Sequence, residues 1–181
     1  MNVKKYLAIF ITLLGLSYFT VQEASANTTI TNEDLLSQVK IYDAENNLIP
    51  YSLEELKEIV RFETNNSSLE NNNVVTPFAV QRTYNSGAFD FTNYIYLKDG
   101  NSFKNPVDIQ ITPKGEAKAF TLKIEGTKTG VKGDTVKFPG GWVGTVHYSL
   151  SNLAPANYTF LFINDGVGNN LMQNAKVIYT Y

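Results

Sequence analysis

The single histidine and the single tryptophan of the chain stand five residues apart in the stretch FPGGWVGTVHYSL, residues 138–150. Thr145 and Ser149 flank His147 at two-residue spacing, so in a strand all three side chains lie on one face. A histidine beside a hydroxyl is the usual base that activates a nucleophile, and histidine is also the commonest metal ligand. The chemistry to consider first is therefore acyl transfer or zinc binding.

The rest of the sequence argues against both. No glycine-framed serine lies near His147, the chain has no cysteine, and zinc sites need three or four ligands. The carboxylates that glycoside hydrolysis would need are scattered, mostly in predicted turns. Asp99 with Asn101, and Asp165 with Asn169, suit turns better than calcium loops. We predict a protein that is not an enzyme and has no cofactor or metal.

In the predicted strand, Val146 and Tyr148 face the core while His147 faces outward. Trp142 follows a Pro-Gly-Gly turn at the beginning of that strand. We therefore expect Trp142 to close the margin of the core and His147 to be a solvated residue of the outer face.

A two-residue period of apolar side chains recurs through residues 78–181. It is clearest in three sets: Val107, Ile109 and Ile111; Phe120, Leu122 and Ile124; and Tyr158, Phe160 and Phe162. Turn residues such as Asn85-Ser86-Gly87 and Lys132-Gly133-Asp134 separate the runs. About seven or eight short strands at this spacing predict an all-β fold, an antiparallel two-sheet sandwich of immunoglobulin-like general architecture. A closed barrel is the alternative.

The stretch LSNLAPANYTFLFIND, residues 150–165, places Leu153, Pro155 and Tyr158 just before a predicted strand. This pattern resembles the start of a late strand in immunoglobulin-like and fibronectin-like sandwiches. In those domains the tyrosine hydroxyl bonds back across the corner. The resemblance covers about a dozen residues, and it implies an architecture and no activity.

Residues 1–26 have the pattern of a secretory signal peptide. Two lysines precede an apolar run at residues 6–19, and Ala24-Ser25-Ala26 follows as the cleavage site. The run has 14 residues, fewer than the ~20 of a transmembrane helix. We predict cleavage after Ala26, no stable membrane span and a secreted, extracellular protein. The formal net charge of the mature chain is −3, which gives nucleic acid no bulk attraction.

Two further regions precede the sandwich. Residues 27–62 contain a predicted hairpin, VKIYDAENNLIPYS, and then YSLEELKEIVRF, an amphipathic helix with a capping box from Ser52 to Glu55. We predict that these residues form a short appendage. Residues 63–77 are an Asn-rich linker to the sandwich domain, residues 78–181. Cleavage in this linker would make residues 27–62 a prosegment, which is a hypothesis.

Aromatic side chains supply the candidate binding surface. Tyr94 and Tyr96 fall on the strand face opposite the core, where tyrosines often stack on sugars or contact proteins. The strand at residues 158–164 is apolar on both faces, since Leu161 and Ile163 oppose the core set. Either the predicted helix or a partner protein should cover these two side chains.

We therefore expect a secreted, non-catalytic binding module that contacts an extracellular protein or a surface glycan. The candidate binding residues are Tyr94, Tyr96, Trp142 and His147. The alternative is a small secreted effector or toxin that acts on the envelope of another cell. The low positive charge argues against simple electrostatic attack on membranes.

Overall fold

The computed structural model describes residues 30–63 and 80–180, which form two antiparallel sheets packed together. Sheet A runs in the order β2 (Leu48–Ile49), β1 (Lys40–Tyr42), β10 (Thr135–Phe138), β9 (Phe120–Gly126), β12 (Asn157–Asn164) and β6 (Tyr94–Tyr96), and β7 (Phe103–Lys104) also pairs with β12. Sheet B runs in the order β3 (Val60–Glu63), β11 (Thr145–Ser149), β8 (Pro106–Pro113), β13 (Asn170–Thr180) and β4 (Gln81–Asn85), and β5 (Phe89–Phe91) also pairs with β13. The predicted two-sheet sandwich is confirmed.

The core lies between the inner faces of the two sheets, and the alternation in the sequence positions it. The inward sets of β9 and β12 are all buried, namely Phe120, Leu122, Ile124, Tyr158, Phe160 and Phe162. On β11, Val146 and Tyr148 are buried and His147 faces outward, as predicted. Burial of each large apolar side chain contributes about 2 kcal/mol, so a slip by one residue in any of these strands would be costly.

Residues 30–63 are part of the sandwich, and the prediction of an appendage is wrong in this respect. The hairpin of β1 and β2 forms as expected. However, β1 also pairs with β10 of sheet A, and β3 pairs with β11 of sheet B. The physical reason is that β10 and β11 would otherwise present unpaired backbone groups at two sheet edges.

Two helices accompany these strands. Helix α1 (Asn32–Gln38) begins at Thr31 and was not predicted, whereas α2 (Leu53–Ile59) begins at the predicted capping box of Ser52 and Glu55. Helix α2 packs against α1, β3 and β11. Because α2 continues directly into β3, it stays beside sheet B. The prediction that this helix covers Leu161 and Ile163 of sheet A is therefore wrong.

The loops define two ends of the molecule. The upper end is formed by residues 92–93, 114–119, 139–144 and 165–169, and the lower end by residues 43–47, 127–134 and 150–156. Hydrogen bonds join the upper loops, for example from the Ala117 N–H to the Trp142 carbonyl at 2.8 Å and from the Asp165 N–H to the Ala119 carbonyl at 3.1 Å. The described chain begins at this end, with Ile30.

The predicted signal peptide, residues 1–26, lies outside the described residues. The same holds for the predicted linker, residues 63–77, apart from Glu63, which is the last residue of β3. Within residues 30–63 and 80–180, no helix is both long enough and apolar enough to cross a membrane.

Candidate binding surfaces

Four side chains form a strip on the outer face of sheet A, and we call them the tyrosine face. Tyr94 and Tyr96 of β6 lie opposite Ile163 and Leu161 of β12 in the sheet register. Tyr94 is 66% exposed and Tyr96 is 39% exposed, whereas Leu161 and Ile163 are half-buried. The two phenol rings therefore border a partly covered apolar floor at the edge of the sheet.

The chain fixes β6 at both of its ends. The carbonyl of Asn93 accepts a hydrogen bond from the Asn164 N–H at 2.8 Å. After Tyr96 the chain turns into a short 3-10 segment, Leu97–Gly100, in which Leu97 is buried and Lys98 and Asp99 have positive φ. These contacts hold β6 against β12, so the tyrosine rings project from a fixed backbone.

Paired charges border the tyrosine face. Lys123 Nζ lies 2.7 Å from Glu125 Oε1, and the Tyr96 hydroxyl donates to Glu125 Oε2 at 3.3 Å. The negative charge of Glu125 raises the pKa of the Tyr96 phenol, so the phenol remains a hydrogen-bond donor at neutral pH. An aromatic strip beside balanced charges suits the apolar face of a sugar ring or an apolar protein contact.

His147 lies on the outer face of the other sheet, sheet B. Its Nε2 atom is 3.1 Å from Glu63 Oε2, and its Nδ1 atom is 3.8 Å from Asp108 Oδ2. The imidazole is only 16% exposed. The expectation of a solvated histidine is therefore wrong, because β3 and β8 bring a carboxylate to each side of it.

The neighbouring hydroxyls do not complete a catalytic arrangement. Thr145 Oγ1 shares a hydrogen bond with Thr112 Oγ1 at 2.9 Å, and Ser149 Oγ shares one with Ser151 Oγ at 3.0 Å. The Nε2 atom of His147 is buried and makes no hydrogen bond among the described residues, although it lies 3.1 Å from Glu63 Oε2. A nucleophile held by a base would require a hydroxyl bonded to the imidazole.

Trp142 is 2% exposed and belongs to the core at the upper end. Its indole N–H donates to the carbonyl of Pro139 at 2.8 Å, and its ring meets the Phe62 ring edge-on, with centroids 5.4 Å apart. The four candidate residues from the sequence thus occupy three places. Tyr94 and Tyr96 lie together on sheet A, His147 lies on sheet B, and Trp142 is inside.

Sequence reasoning missed a pair of a buried tyrosine and a half-buried carboxylate at the lower end. The hydroxyl of Tyr148 donates to Asp134 Oδ2 at 2.9 Å, linking sheet B to the chain just before β10 of sheet A. Burial raises the pKa of Asp134, and burial together with the Asp134 charge raises the pKa of Tyr148 well above its usual value. One signal was available, since an inward-facing tyrosine needs a partner for its hydroxyl.

An open groove of ≈ 460 Å³ lies beside Asp134. Its walls are mostly apolar, including Val131, Leu153 and Pro155. The Asp43 carboxylate at its edge accepts hydrogen bonds from the backbone N–H groups of Glu45 and Asn47 and thereby holds its own turn. At the same end, the Tyr158 hydroxyl donates to the Ala154 carbonyl at 2.8 Å, which is the corner bond that the resemblance to immunoglobulin-like sandwiches implied.

Asp165 and Asn169, one of the two pairs considered for calcium, have structural partners. Asp165 Oδ2 accepts a hydrogen bond from the Thr121 hydroxyl at 2.6 Å, and the Asn169 side chain donates to Asp90 Oδ2 at 3.2 Å. In the part of the chain that the structure describes, no three His, Cys, Asp or Glu side chains are grouped so that they could hold a metal ion.

Comparisons with known proteins give no relative. No protein-family model, no curated protein and no solved structure matches the chain. The fold is thus defined by its own strand pairing, and the exposed surfaces are the features of the molecule that bear on function.

Proposed function

We propose that this protein is a secreted, non-catalytic binding module whose tyrosine face contacts a glycan or a protein outside the producing cell. The observation that carries the proposal is the 66% exposure of Tyr94 on a strand held at both ends. Tyrosine brings a large, rigid contact surface with only two side-chain torsions to order, so its burial on binding costs little entropy.

The shape of the tyrosine face supports the same conclusion. Tyr94 and Tyr96 are two residues apart on one strand, so their Cα atoms are about 7 Å apart along it. Leu161 and Ile163 lie directly across from them in the neighbouring strand. A ligand resting on this strip would contact both rings and the two aliphatic side chains together, and those four contacts would be shielded from water.

The surrounding charges favour a neutral ligand surface. Lys123 and Glu125 pair with each other, and the Tyr96 hydroxyl adds one donor. The predicted mature chain carries a formal net charge of −3, so an anionic polymer would gain no long-range attraction. Neutral sugars and uncharged protein patches remain as the best-suited partners.

Binding of the labelled mature protein to a panel of intact bacterial and animal cells tests the proposal. Changing Tyr94→Ser together with Tyr96→Ser should weaken binding at least about tenfold, as expected for central aromatic contacts. The matched control is Tyr42→Ser, which removes a tyrosine from β1 near the opposite edge of sheet A. The control should bind as the unaltered protein does.

Two treatments of the cells then separate the ligand classes. Periodate oxidation should abolish binding to a glycan, and protease digestion should abolish binding to a protein. If the double tyrosine variant folds and still binds as tightly as the Tyr42→Ser variant, the tyrosine face is not the binding site and the proposal fails.

A further inference from the structure

Three apolar side chains project from the first described residue and from two loops of the upper end, apart from the tyrosine face and the strands. Val167 is 92% exposed, Ile30 is 51% exposed and Val143 is 46% exposed. Isolated exposed aliphatic residues are ordinary on protein surfaces. What distinguishes these three is that the loops carrying them are joined into one surface.

The loop of residues 114–119 forms the centre of that surface. On one side, its Ala117 carbonyl accepts a hydrogen bond from the Gly141 N–H at 2.9 Å. Ile30 lies beside the same glycine, since its Cδ1 atom is 3.6 Å from the position that a Cβ atom on Gly141 would take. On the other side, Lys118 Nζ donates to the Val167 carbonyl at 2.5 Å. Ile30 and Val143 therefore flank the central loop on one side and Val167 on the other.

The exposure of Val167 is a fixed property of its loop. The Asn164 side chain donates to the Gly168 carbonyl at 2.6 Å and accepts from the Gly166 N–H at 3.0 Å. Together with the bond from Lys118, these contacts hold the backbone on both sides of Val167. The loop therefore needs no ordering on binding, and its apolar tip is ready for a partner.

The upper loops carry no net charge. Residues 114–119, 139–144 and 165–169 contain two lysines and two carboxylates, namely Lys114, Lys118, Glu116 and Asp165. Long-range attraction to an anionic surface is therefore weak here. Apolar tips between balanced charges are complementary to a surface that is neutral outside and apolar beneath, as a zwitterionic bilayer is.

The position of Ile30 in the sequence also favours a lipid bilayer as the partner. Ten residues separate Ile30 from the end of the apolar run at residues 6–19. Ten residues span at most about 35 Å. Residues 1–26 are predicted to be a signal peptide, and a signal peptide lies in the membrane before cleavage, so Ile30 would then lie within this distance of the bilayer.

We infer that the upper end docks on a lipid bilayer, with Val167, Val143 and Ile30 inserted among zwitterionic headgroups and no span across the membrane. Three small side chains give weak, reversible attachment that depends on apolar contact. Binding should therefore persist in high salt, unlike attachment through lysines.

Sedimentation of the mature chain, Asn27 to Tyr181, with phosphatidylcholine vesicles tests this inference at low and at high salt. The unaltered protein should sediment with the vesicles at both. Changing Val143→Ser and Val167→Ser together should lower the partition at least about tenfold. The matched control is Leu48→Ser. Leu48 is 54% exposed, but it lies at the lower end, because it pairs with Tyr42 at the lower end of β1. A protein that stays in the supernatant, or a control that loses as much binding as the double variant, overturns the inference.

A fluorescent reporter gives a second measurement. The chain has no cysteine, so Val167→Cys accepts a single polarity-sensitive dye. Its emission should shift to shorter wavelength on addition of the vesicles, and the same dye on Leu48→Cys should not respond. An equal shift at both positions, or a shift caused by a protein extract and not by lipid, contradicts bilayer docking. The Tyr94→Ser, Tyr96→Ser variant should still bind vesicles, so this inference and the proposed function fail separately.

Discussion

At the lower end of the sandwich two tyrosine hydroxyls point into the protein, whereas at the upper end the loops turn apolar side chains toward solvent. Below, Tyr158 donates to the Ala154 carbonyl and Tyr148 donates to Asp134, both within 2.9 Å. Above, the polar side chains of Lys118 and Asn164 bond the backbone of the loop that carries Val167.

The difference separates two uses of polar groups. At the lower end they let large aromatic residues join the core without losing a hydrogen bond. At the upper end they fix the shape of a loop and leave its apolar residue in water. Trp142 is an upper-end residue that behaves like the lower-end tyrosines, since its ring is buried and its N–H is bonded. Stability should therefore respond to Trp142 and the lower tyrosines.

The largest loss is expected at Trp142. Trp142→Ala should lower the free energy of unfolding by about 3 kcal/mol, because it removes a buried ring and leaves a cavity beside Phe62. Urea denaturation measures this value. A loss below about 1 kcal/mol would mean that the upper end contributes little to the core.

Tyr148→Phe should cost about 2 kcal/mol, since it removes the hydrogen bond from Tyr148 to a half-buried carboxylate. The same denaturation experiment applies, and Tyr84→Phe is a control for loss of a phenol hydroxyl from a partly buried tyrosine. An equal effect of the two changes would show that the pair with Asp134 has no special weight.

The Asp134 carboxyl also predicts a dependence of stability on pH. Its pKa is raised in the folded protein, so the folded state keeps a proton that the unfolded chain has already lost. Its contribution to stability is full below the ordinary value of 3.8 and is lost as the pH rises through the folded-state pKa.

Comparison with Asp134→Asn isolates this group, because Asp34, Asp43 and Glu55 have lowered pKa values and act in the opposite direction. The stability of the unaltered protein relative to the variant should fall as the pH rises above 3.8 and through the raised pKa of Asp134 in the folded protein. A difference that stays constant or grows over this range would contradict the assignment.

A smaller loss is expected at the corner tyrosine. Tyr158→Phe keeps the buried ring and removes the hydroxyl, which donates to the Ala154 carbonyl at 2.8 Å and lies 3.5 Å from the Lys132 carbonyl, so the free energy of unfolding should fall by about 1 kcal/mol. Thermal and urea melts both measure it. If the loss equals that of Tyr148→Phe, the charge on Asp134 does not strengthen the hydrogen bond it accepts.

The smallest effect is expected at His147, which belongs to neither end. His147→Ala should change stability by less than about 1 kcal/mol, because the ring lies on the outer face of sheet B and each neighbouring carboxylate keeps another partner. Arg61 pairs with Glu63 at 2.8 Å, and the Gln110 side chain donates to Asp108 at 3.0 Å. A loss above about 1 kcal/mol in a urea melt would assign the imidazole a structural role between β3 and β8.

Much of the sandwich could be predicted from the sequence, because a two-residue period decides which side chains face inward whatever the pairing. The assignment of Val146 and Tyr148 to the core and of His147 to the outer face needed nothing else. The partner of each strand could not be predicted in this way. The pairing of β1 with β10 depends on packing between residues far apart in the chain, such as Ile41 and Val136, and no local pattern records it.

The surfaces were predictable only in part, for the same reason. The outward direction of Tyr94 and Tyr96 follows from alternation within one strand. The surroundings of His147 come from two other strands, so Glu63 and Asp108 could not be placed beside it beforehand. The hydrogen bond between Tyr148 and Asp134 was not predicted, because Asp134 belongs to the turn sequence Lys132-Gly133-Asp134 and was interpreted only as a turn residue.

The strands β1 and β3 pair with strands that are synthesised much later, β10 and β11. Ile41 cannot pair until Val136 has been synthesised, and Phe62 cannot pair until Val146 has been synthesised. Most of the chain must therefore be made before either sheet edge can close. Such distant pairings form slowly. A nascent chain of this protein therefore keeps both sheet edges open until these late strands have been made, and the export that residues 1–26 predict would act on a chain that is still open.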